Sequence, residues 1–359
     1  MRVATIVGNR PQFIKAAAVY GPLRERAEEV MIHTGQHHDD ELSRVFFEEL
    51  GLPRPDHELH IDSGSNSSQT ARMLAALEPL FVDLAPDVAL IYGDTNSTLA
   101  GGLAAAQAGV PVAHVEAGMR SFDRRMPEEL NRVLCDHLSS LLLCPSDTAV
   151  ENLRREHVVG RIELVGDVMV DIAKLIQPRA GERDDVRRRY GVESDGYLLL
   201  TAHRPGNVDD PARCRRLVDL VAALPLPTLL PLHPRTAAGL RSAGLLDELR
   251  ALPLLSVVEP LGYLDFSALL CRARAVLTDS GGVQKEAYLA GVQCLTLRDT
   301  TEWVETVEAG WNVLVDLDAA AALAALETAP PQERPPLYGD GHAGERVAAA
   351  IEALRLPAL

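Results

Sequence analysis

Thr278-Asp279-Ser280-Gly281-Gly282-Val283-Gln284-Lys285-Glu286 joins a short apolar run, 275–278, to a helix-like stretch, 284–290, through a Ser-Gly-Gly turn. A strand that enters a helix this way turns backbone N–H groups outward at the helix N-terminus, where the peptide dipoles favour an anion. Gly281 and Gly282 have no Cβ, so a phosphate can approach that backbone closely. Glu286, about one turn in, suits a ribose diol. The plainer alternative is an ordinary strand-to-helix turn.

The same rhythm runs along the chain on both sides. Short β-rich runs bounded by Gly, Pro, Asp or Ser predict strands at 3–7, 30–33, 88–92, 112–115, 141–144 and 162–165. A second set falls at 197–201, 228–232, 255–258, 275–278, 294–297 and 313–315. Helix-like stretches such as 101–108, 128–142 and 284–290 separate them, which predicts an α/β fold with Rossmann-like, doubly wound parallel sheets. The rhythm pauses at 177–196, where Pro178, Gly181, Gly191 and Gly196 stand among charges, and again at 330–336. We therefore expect two domains, 1–168 and 169–343, with a last helix from about 344 crossing back to the first.

Composition agrees with this class. The 359 residues are 47% hydrophobic, enough for two cores, but only 4% aromatic, so those cores must be rich in Leu, Val and Ala. The net charge of −16 and the lack of any basic face argue against a nucleic-acid binder, and no basic run suits a membrane surface. Five cysteines, an odd number without Cys-x-x-Cys, predict buried small apolar residues rather than disulfides or a zinc site. The N-terminus runs straight into a strand, with no long apolar segment there or elsewhere, so the cytoplasm is the expected location.

Candidate chemical groups gather where strands end. Gly8-Asn9-Arg10-Pro11-Gln12 and Lys15 follow the first strand; this is no Gly-x-Gly-x-x-Gly run, so a bound dinucleotide is not expected. Arg10 and Lys15 are either ligand-facing cations or solvated helix-start residues. Asp94, in Gly93-Asp94-Thr95, is either a functional carboxylate or a helix cap. Glu116 follows a Val-rich strand and is harder to explain as surface. Glu128 and Glu129 open a helix behind Pro127, where acids also complement the helix dipole. Convergence of Asp94, Glu116 and Glu128 would push their pKa values apart and suit acid/base work. His203-Arg204 and His233-Pro234-Arg235 follow strands of the second half and can meet a phosphate, or serve as capping or solvated groups.

In order along the chain stand Gly8-x-Arg10-Pro11-x-x-x-Lys15, Thr34-Gly35-Gln36-His37, Gly93-Asp94-Thr95, His114-Val115-Glu116-Ala117-Gly118 and Pro127-Glu128-Glu129-x-Asn131-Arg132. They are followed by His203-Arg204, Asp279-Ser280-Gly281-Gly282-x-Gln284-x-Glu286 and Arg298-x-Thr300-Thr301-Glu302. Together, from residue 3 to about 345, they closely resemble the non-hydrolysing UDP-N-acetylglucosamine 2-epimerases. The resemblance implies two domains arranged as in GT-B glycosyltransferases, with UDP-GlcNAc or UDP-ManNAc in the interdomain cleft, and neither metal nor cofactor. It implies anti elimination of UDP to a 2-acetamidoglucal and re-addition with C2 inverted. Asp94, Glu116 and Glu128 would be the acid/base carboxylates, His203 would lie near the leaving oxygen, and Lys15 would be required. Arg10, Arg132, His233, Ser280, Gly281, Gly282 and Glu286 would contact UDP or sugar, with Phe266 beside the uracil. A homodimer is the expected assembly. A hydrolysing relative that releases UDP and ManNAc, a GT-B glycosyltransferase and a non-catalytic nucleotide-sugar binder are the alternatives.

Four positions depart from the family pattern: Gln12 where an acid is common, Trp303 and Val304 in place of Arg-Pro, and Gly206 in place of Glu. In bacterial members the Glu at the position of Gly206 contacts a second, activating UDP-GlcNAc. Gly206 has no side chain to do so, although Asn207, Gln36 and Arg72 are present. Weak or absent activation is the expectation, with a reverse reaction that starts from UDP-ManNAc alone.

Overall fold

The computed structural model describes residues 1–35, 51–61, 64–192 and 196–354. Gln36 and His37 lie outside them. The chain divides into unit 1, Met1–Ile172 with Tyr338–Leu359, and unit 2, Ala173–Leu337.

Unit 1 holds β1 (Arg2–Val7), β2 (Glu28–His33), β3 (His57–Glu58), β4 (Val88–Tyr92), β5 (Val112–Val115), β6 (Leu141–Cys144) and β7 (Arg161–Leu164). Its described helices are α1 (Arg10–Arg24), α2 (Asn66–Leu84), α3 (Asn96–Gln107), α4 (Pro127–Leu138), α5 (Asp147–Arg155) and α6 (Val168–Gly181), whose end runs into unit 2. The strands form one parallel sheet in the order β3-β2-β1-β4-β5-β6-β7. Every residue of β4, β5 and β6 is buried, as a parallel sheet covered on both faces requires. Ile6, Ile32, Ala89 and Ile91 pack under Met73, Leu77 and Phe81 of α2 and Ala100 and Ala104 of α3.

Unit 2 follows with α7 (Asp184–Arg189), β8 (Leu198–Thr201), α8 (Pro205–Val208), α9 (Pro211–Ala223), β9 (Thr228–Pro231), α10 (Pro234–Ser242), α11 (Leu246–Arg250) and β10 (Leu255–Val258). It continues with α12 (Tyr263–Leu270), β11 (Ala275–Thr278), α13 (Gly281–Ala290), β12 (Gln293–Thr296), α14 (Val304–Glu308), β13 (Asn312–Leu314) and α15 (Ala319–Glu327). The sheet order is β10-β9-β8-β11-β12-β13, again parallel, over a core of Leu198, Leu200, Leu217, Leu230, Leu277 and Leu295. Both sheets are doubly wound. The strand order reverses beside β1 and β4 in unit 1 and beside β8 and β11 in unit 2, and open α/β sheets bind ligands at the carboxyl ends of strands at that place.

The last helix, α16 (Ala343–Glu352), returns to unit 1 and packs on α1. Asp171 accepts hydrogen bonds from its first two N–H groups, Ala343 at 3.2 Å and Gly344 at 2.9 Å. Gly344 is required because a Cβ there would collide with the Ala18 carbonyl of α1.

One carboxyl in this sheet is out of its ordinary range. Glu29 of β2 accepts a hydrogen bond from Thr5 Oγ1 at 2.6 Å, while burial pushes its pKa up from 4.5 to about 7. The folded state therefore holds this proton more tightly than the unfolded chain. Stability from this group is full below pH 4.5 and is lost as pH rises through 7, a loss of up to about 3 kcal/mol. Glu29→Gln keeps the acceptor and removes the charge. Its melting temperature is expected to match the parent at pH 4.5 and to exceed it at pH 8. A difference that stays constant across that range would contradict this.

Candidate active site

In unit 1 the ends of β1, β4 and β5 carry the candidate groups. Asn9 caps α1 by accepting the Gln12 N–H at 3.2 Å, and Pro11 sits in the first turn, where its missing N–H costs nothing. Arg10 opens the helix and is half-buried. Lys15 lies on the same helix, and its ammonium forms an ion pair with the Glu116 carboxylate. Glu116 has a φ of +71°, in the left-handed region that costs a residue with a Cβ about 1–3 kcal/mol. Hydrogen bonds from the Glu116 and Ala117 N–H groups to the Leu143 carbonyl, at 3.1 and 3.2 Å, hold it there.

Asp94 is not the helix cap. Thr95 takes that place, accepting from Thr98 N–H while Thr98 Oγ1 accepts from Thr95 N–H. The Asp94 carboxylate instead pairs with Arg132 Nη2 at 2.5 Å, and the Asp94 carbonyl accepts from Asn131 Nδ2 at 2.9 Å. Arg132, almost fully buried, also pairs with Glu129 at 2.9 Å. Glu129 accepts the N–H groups of Ser121 and Phe122, both at 2.9 Å, and so fixes the loop before α4. Glu128 stays half-buried in the first turn. The two adjacent glutamates thus separate: Glu129 is a buried brace, and Glu128 is only half-buried.

Gln12 binds the two strand-end turns together. Its Oε1 accepts Gly8 N–H at 2.8 Å, and its Nε2 donates to the Tyr92 carbonyl at 2.9 Å and Thr98 Oγ1 at 3.0 Å. A neutral amide fills all three roles, where a carboxylate has no proton for the last two.

In unit 2 the ends of β8 and β11 meet through Asp279, which is fully buried. Its carboxylate accepts from His203 N–H at 3.0 Å, Arg204 N–H at 2.9 Å and Asn207 Nδ2 at 3.0 Å. His203 and His233 stack with ring centroids 5.3 Å apart. His233 caps α10 by accepting Arg235 N–H at its Nδ1, at 3.1 Å. Glu302 pairs with Arg298 at 2.9 Å and lies 3.9 Å from Arg204. It reaches over the start of α13, where a Cβ on Gly281 would collide with it. A Cβ at Gly282 would meet only Ser280 Oγ, at 3.9 Å. Ser280 precedes the helix without a side-chain cap bond, and Glu286 is half-buried one turn in. Trp303 is buried, with the Lys285 ammonium 3.8 Å from its ring centre, a cation–π contact.

Of the sequence candidates, Arg10, Lys15, Asp94, Glu116, Glu128 and Arg132 lie on unit 1, at or just beyond the carboxyl ends of β1, β4 and β5. His203, Ser280, Gly281, Gly282 and Glu286 lie at the matching edge of unit 2, with His233 after β9. Phe266 is buried on α12. Arg72 is on α2, its Nε donating to the Ser68 carbonyl at 3.3 Å. The side chain of Asn207 is turned inward, donating also to the Leu297 carbonyl and accepting from Arg213, while a Cβ at Gly206 would meet nothing within 4 Å. Asp279, His114 and Asp136 were not singled out from sequence as site residues; His114 is a polar group inside the apolar run 112–115 and Asp279 one at the end of the run 275–278, while Asp136 stands in a charged helix and gives no such signal. Among the described residues no group of three His, Cys, Asp or Glu side chains could hold a metal ion, and no helix is long and apolar enough to cross a membrane. Four of the five free cysteines are buried, and burial pushes the Cys294 thiol up to about 12.

Two Rossmann-like units with polar groups collected at their switch points define a GT-B-like α/β protein of the nucleotide-sugar kind. Residues 23–352 match the family described as UDP-N-acetylglucosamine 2-epimerase. The chain is 45% identical to the UDP-2,3-diacetamido-2,3-dideoxy-D-glucuronate 2-epimerase of Pseudomonas aeruginosa, covering 97% of this chain and 98% of that one. It is 42% identical to a UDP-N-acetylglucosamine 2-epimerase homolog of Methanococcus maripaludis, covering 99% of each. The crystal structure of Methanocaldococcus jannaschii UDP-GlcNAc 2-epimerase in complex with UDP-GlcNAc and UDP superposes with a TM-score of 0.92 at 40% identity, covering 98% and 99%. The chain belongs to the UDP-N-acetylglucosamine 2-epimerase family.

Proposed function

We propose that this chain interconverts UDP-N-acetylglucosamine and UDP-N-acetylmannosamine without hydrolysis. The observation that carries the proposal is the division of chemistry between two switch points: carboxylates with Lys15 on unit 1, and His203, Arg204 and the start of α13 on unit 2. A carboxylate among Asp94, Glu116 and Glu128 takes the C2 proton, and the C1–O bond breaks with its electron pair leaving on UDP. The C1=C2 double bond of a 2-acetamidoglucal results. UDP oxygen then re-adds at C1 while a second carboxyl of the set, protonated at that stage, delivers its proton to the opposite face of C2. The C2 proton of a pyranose is weakly acidic, so stabilising the departing diphosphate carries much of the barrier. That work falls to His203, Arg10, His233, the Ser280 hydroxyl and the N–H groups at Gly281 and Gly282, with Glu286 on the ribose and Phe266 at the base. Arg132 fixes the Asp94 carboxylate through their ion pair. No metal or cofactor enters the scheme, and the chain works in the cytoplasm as a homodimer.

The Pseudomonas relative favours a second reading, the same C2 inversion on UDP-2,3-diacetamido-2,3-dideoxy-D-glucuronate. The test is incubation of each UDP-sugar in deuterated water, followed by NMR. Deuterium at C2 of both the product and the recovered UDP-GlcNAc is the expected result. Release of free ManNAc makes the enzyme a hydrolysing one. Inversion with C2 protium retained ends the elimination mechanism, and turnover of the uronate alone selects the second reading.

A further inference from the structure

His114 is fully buried in β5, and both of its ring nitrogens face oxygen atoms. Nε2 is 2.7 Å from the Gly93 carbonyl oxygen, and Nδ1 is 2.8 Å from Asp136 Oδ1. A carbonyl oxygen only accepts, so Nε2 carries a proton. Asp136 Oδ2 already accepts from Gly118 N–H at 3.1 Å and from Arg120 Nη1 at 2.7 Å. Burial works to raise the Asp136 pKa, but the hydrogen bonds and charges of His114 and Arg120 outweigh it and hold the carboxyl below its usual range. Nδ1 faces the Asp136 carboxylate. Arg120 also binds Glu156 at 2.8 and 2.7 Å. The row His114–Asp136–Arg120–Glu156 is tied together by hydrogen bonds and ion pairs, which is how buried carboxylates are made tolerable.

This row touches every segment that carries a proposed proton-transfer carboxylate in unit 1. The Gly93 carbonyl belongs to the peptide that leads into Asp94. The Gly118 N–H lies two residues past Glu116, in the turn where Glu116 is held at positive φ. Asp136 lies one turn beyond Arg132 on α4, the helix that also carries Glu128. Gly118 itself, at φ +82°, admits no side chain, because a Cβ would collide with the Ala149 carbonyl.

We propose that His114 is a positioning residue, a buried ring that with Asp136 fixes the Gly93–Asp94 turn against the Glu116–Gly118 turn, and so sets the spacing of the two carboxylates across the sugar C2. The proposal rests on the epimerase reading for what the carboxylates do.

Two measurements on the full chain test it. The first is nitrogen-15 NMR of histidine-labelled protein at the assay pH, with His114 assigned by its disappearance in His114→Gln. A protected ring N–H proton at Nε2 is expected, and an Nε2 without a proton overturns the proposal. The second is kinetics. His114→Gln, and Asp136→Asn beside it, are expected to lower kcat about 10- to 100-fold, with KM within threefold of the parent and UDP binding unchanged, since only transition-state alignment is lost. Unchanged kcat in the two variants, or a loss that falls on UDP affinity, overturns it. If His114→Gln does not fold, the Asp136→Asn kinetics still decide. Failure of the epimerase reading is separate, since it shows as a parent enzyme without C2 exchange.

Discussion

Glu116→Gln is expected to lower kcat by about 10²–10⁴, the range for a lost general acid/base, while UDP still binds. The amide keeps the length and shape of the side chain but neither takes nor gives the proton. It also ends the ion pair with Lys15, half-enclosed between α1 and the end of β5, so a second charge is left without its partner. Glu286→Ala should do the opposite, weakening UDP affinity with a smaller effect on kcat, because Glu286 is on the helix that opens with Ser280-Gly281-Gly282. Calorimetry with UDP beside steady-state kinetics reads both. The reverse pattern would mean that acid/base chemistry and nucleotide binding have been assigned to the wrong units.

Asp279→Ala should unfold or severely weaken unit 2. The carboxylate is fully buried and is the common acceptor for two backbone N–H groups and the Asn207 amide. Each buried donor left without a partner costs about 1–3 kcal/mol, so a loss of about 3 kcal/mol or more is expected by urea denaturation. Where the variant folds, UDP affinity should fall at least tenfold, since the His203-Arg204 turn is no longer tied to the start of α13. Asp279→Asn keeps one acceptor oxygen but points an NH₂ group at the remaining donors, and it should lie between. Stability within about 1 kcal/mol of the parent would contradict this account.

Much of the fold is legible in the sequence because parallel strands covered on both faces are short, uninterrupted apolar runs. All twelve expected strands are present within a residue or two at each end. The missing one, β3, has only two residues, His57 and Glu58, on a sheet edge where nothing demands apolar side chains. The helix expected from 101 starts at Asn96, because Thr95 and Thr98 cap it reciprocally. The helix expected to run to 142 stops at Leu138, where the chain turns into β6.

Helix α4 shows why the site was only partly legible. Glu129, Arg132 and Asp136 recur at helical spacing on its inner face, while Leu130 and Leu134 are about half exposed. Amphipathic logic assigns the leucines to the core and the charges to water. The reversal becomes visible only when Asp94, His114 and Arg120 are brought up against that face by other segments. Individual roles shifted for the same reason. An aspartate before a helix reads as a cap until the next threonine is seen to take the place, and adjacent glutamates read alike until one is found braced against a loop.

The return of α16 to unit 1 makes unit 2 an insertion in the order of synthesis. Residues 1–172 leave the ribosome with six of their described helices in place or begun, but α1 stays uncovered until residues 173–337 have been made and Ala343–Glu352 follows them. Unit 2 is contiguous and can close as soon as it emerges, whereas unit 1 must wait for the far end of the chain. A nascent chain stalled within residues 173–337 therefore holds the proposed acid/base half incomplete, and a premature stop before residue 343 damages the half encoded first.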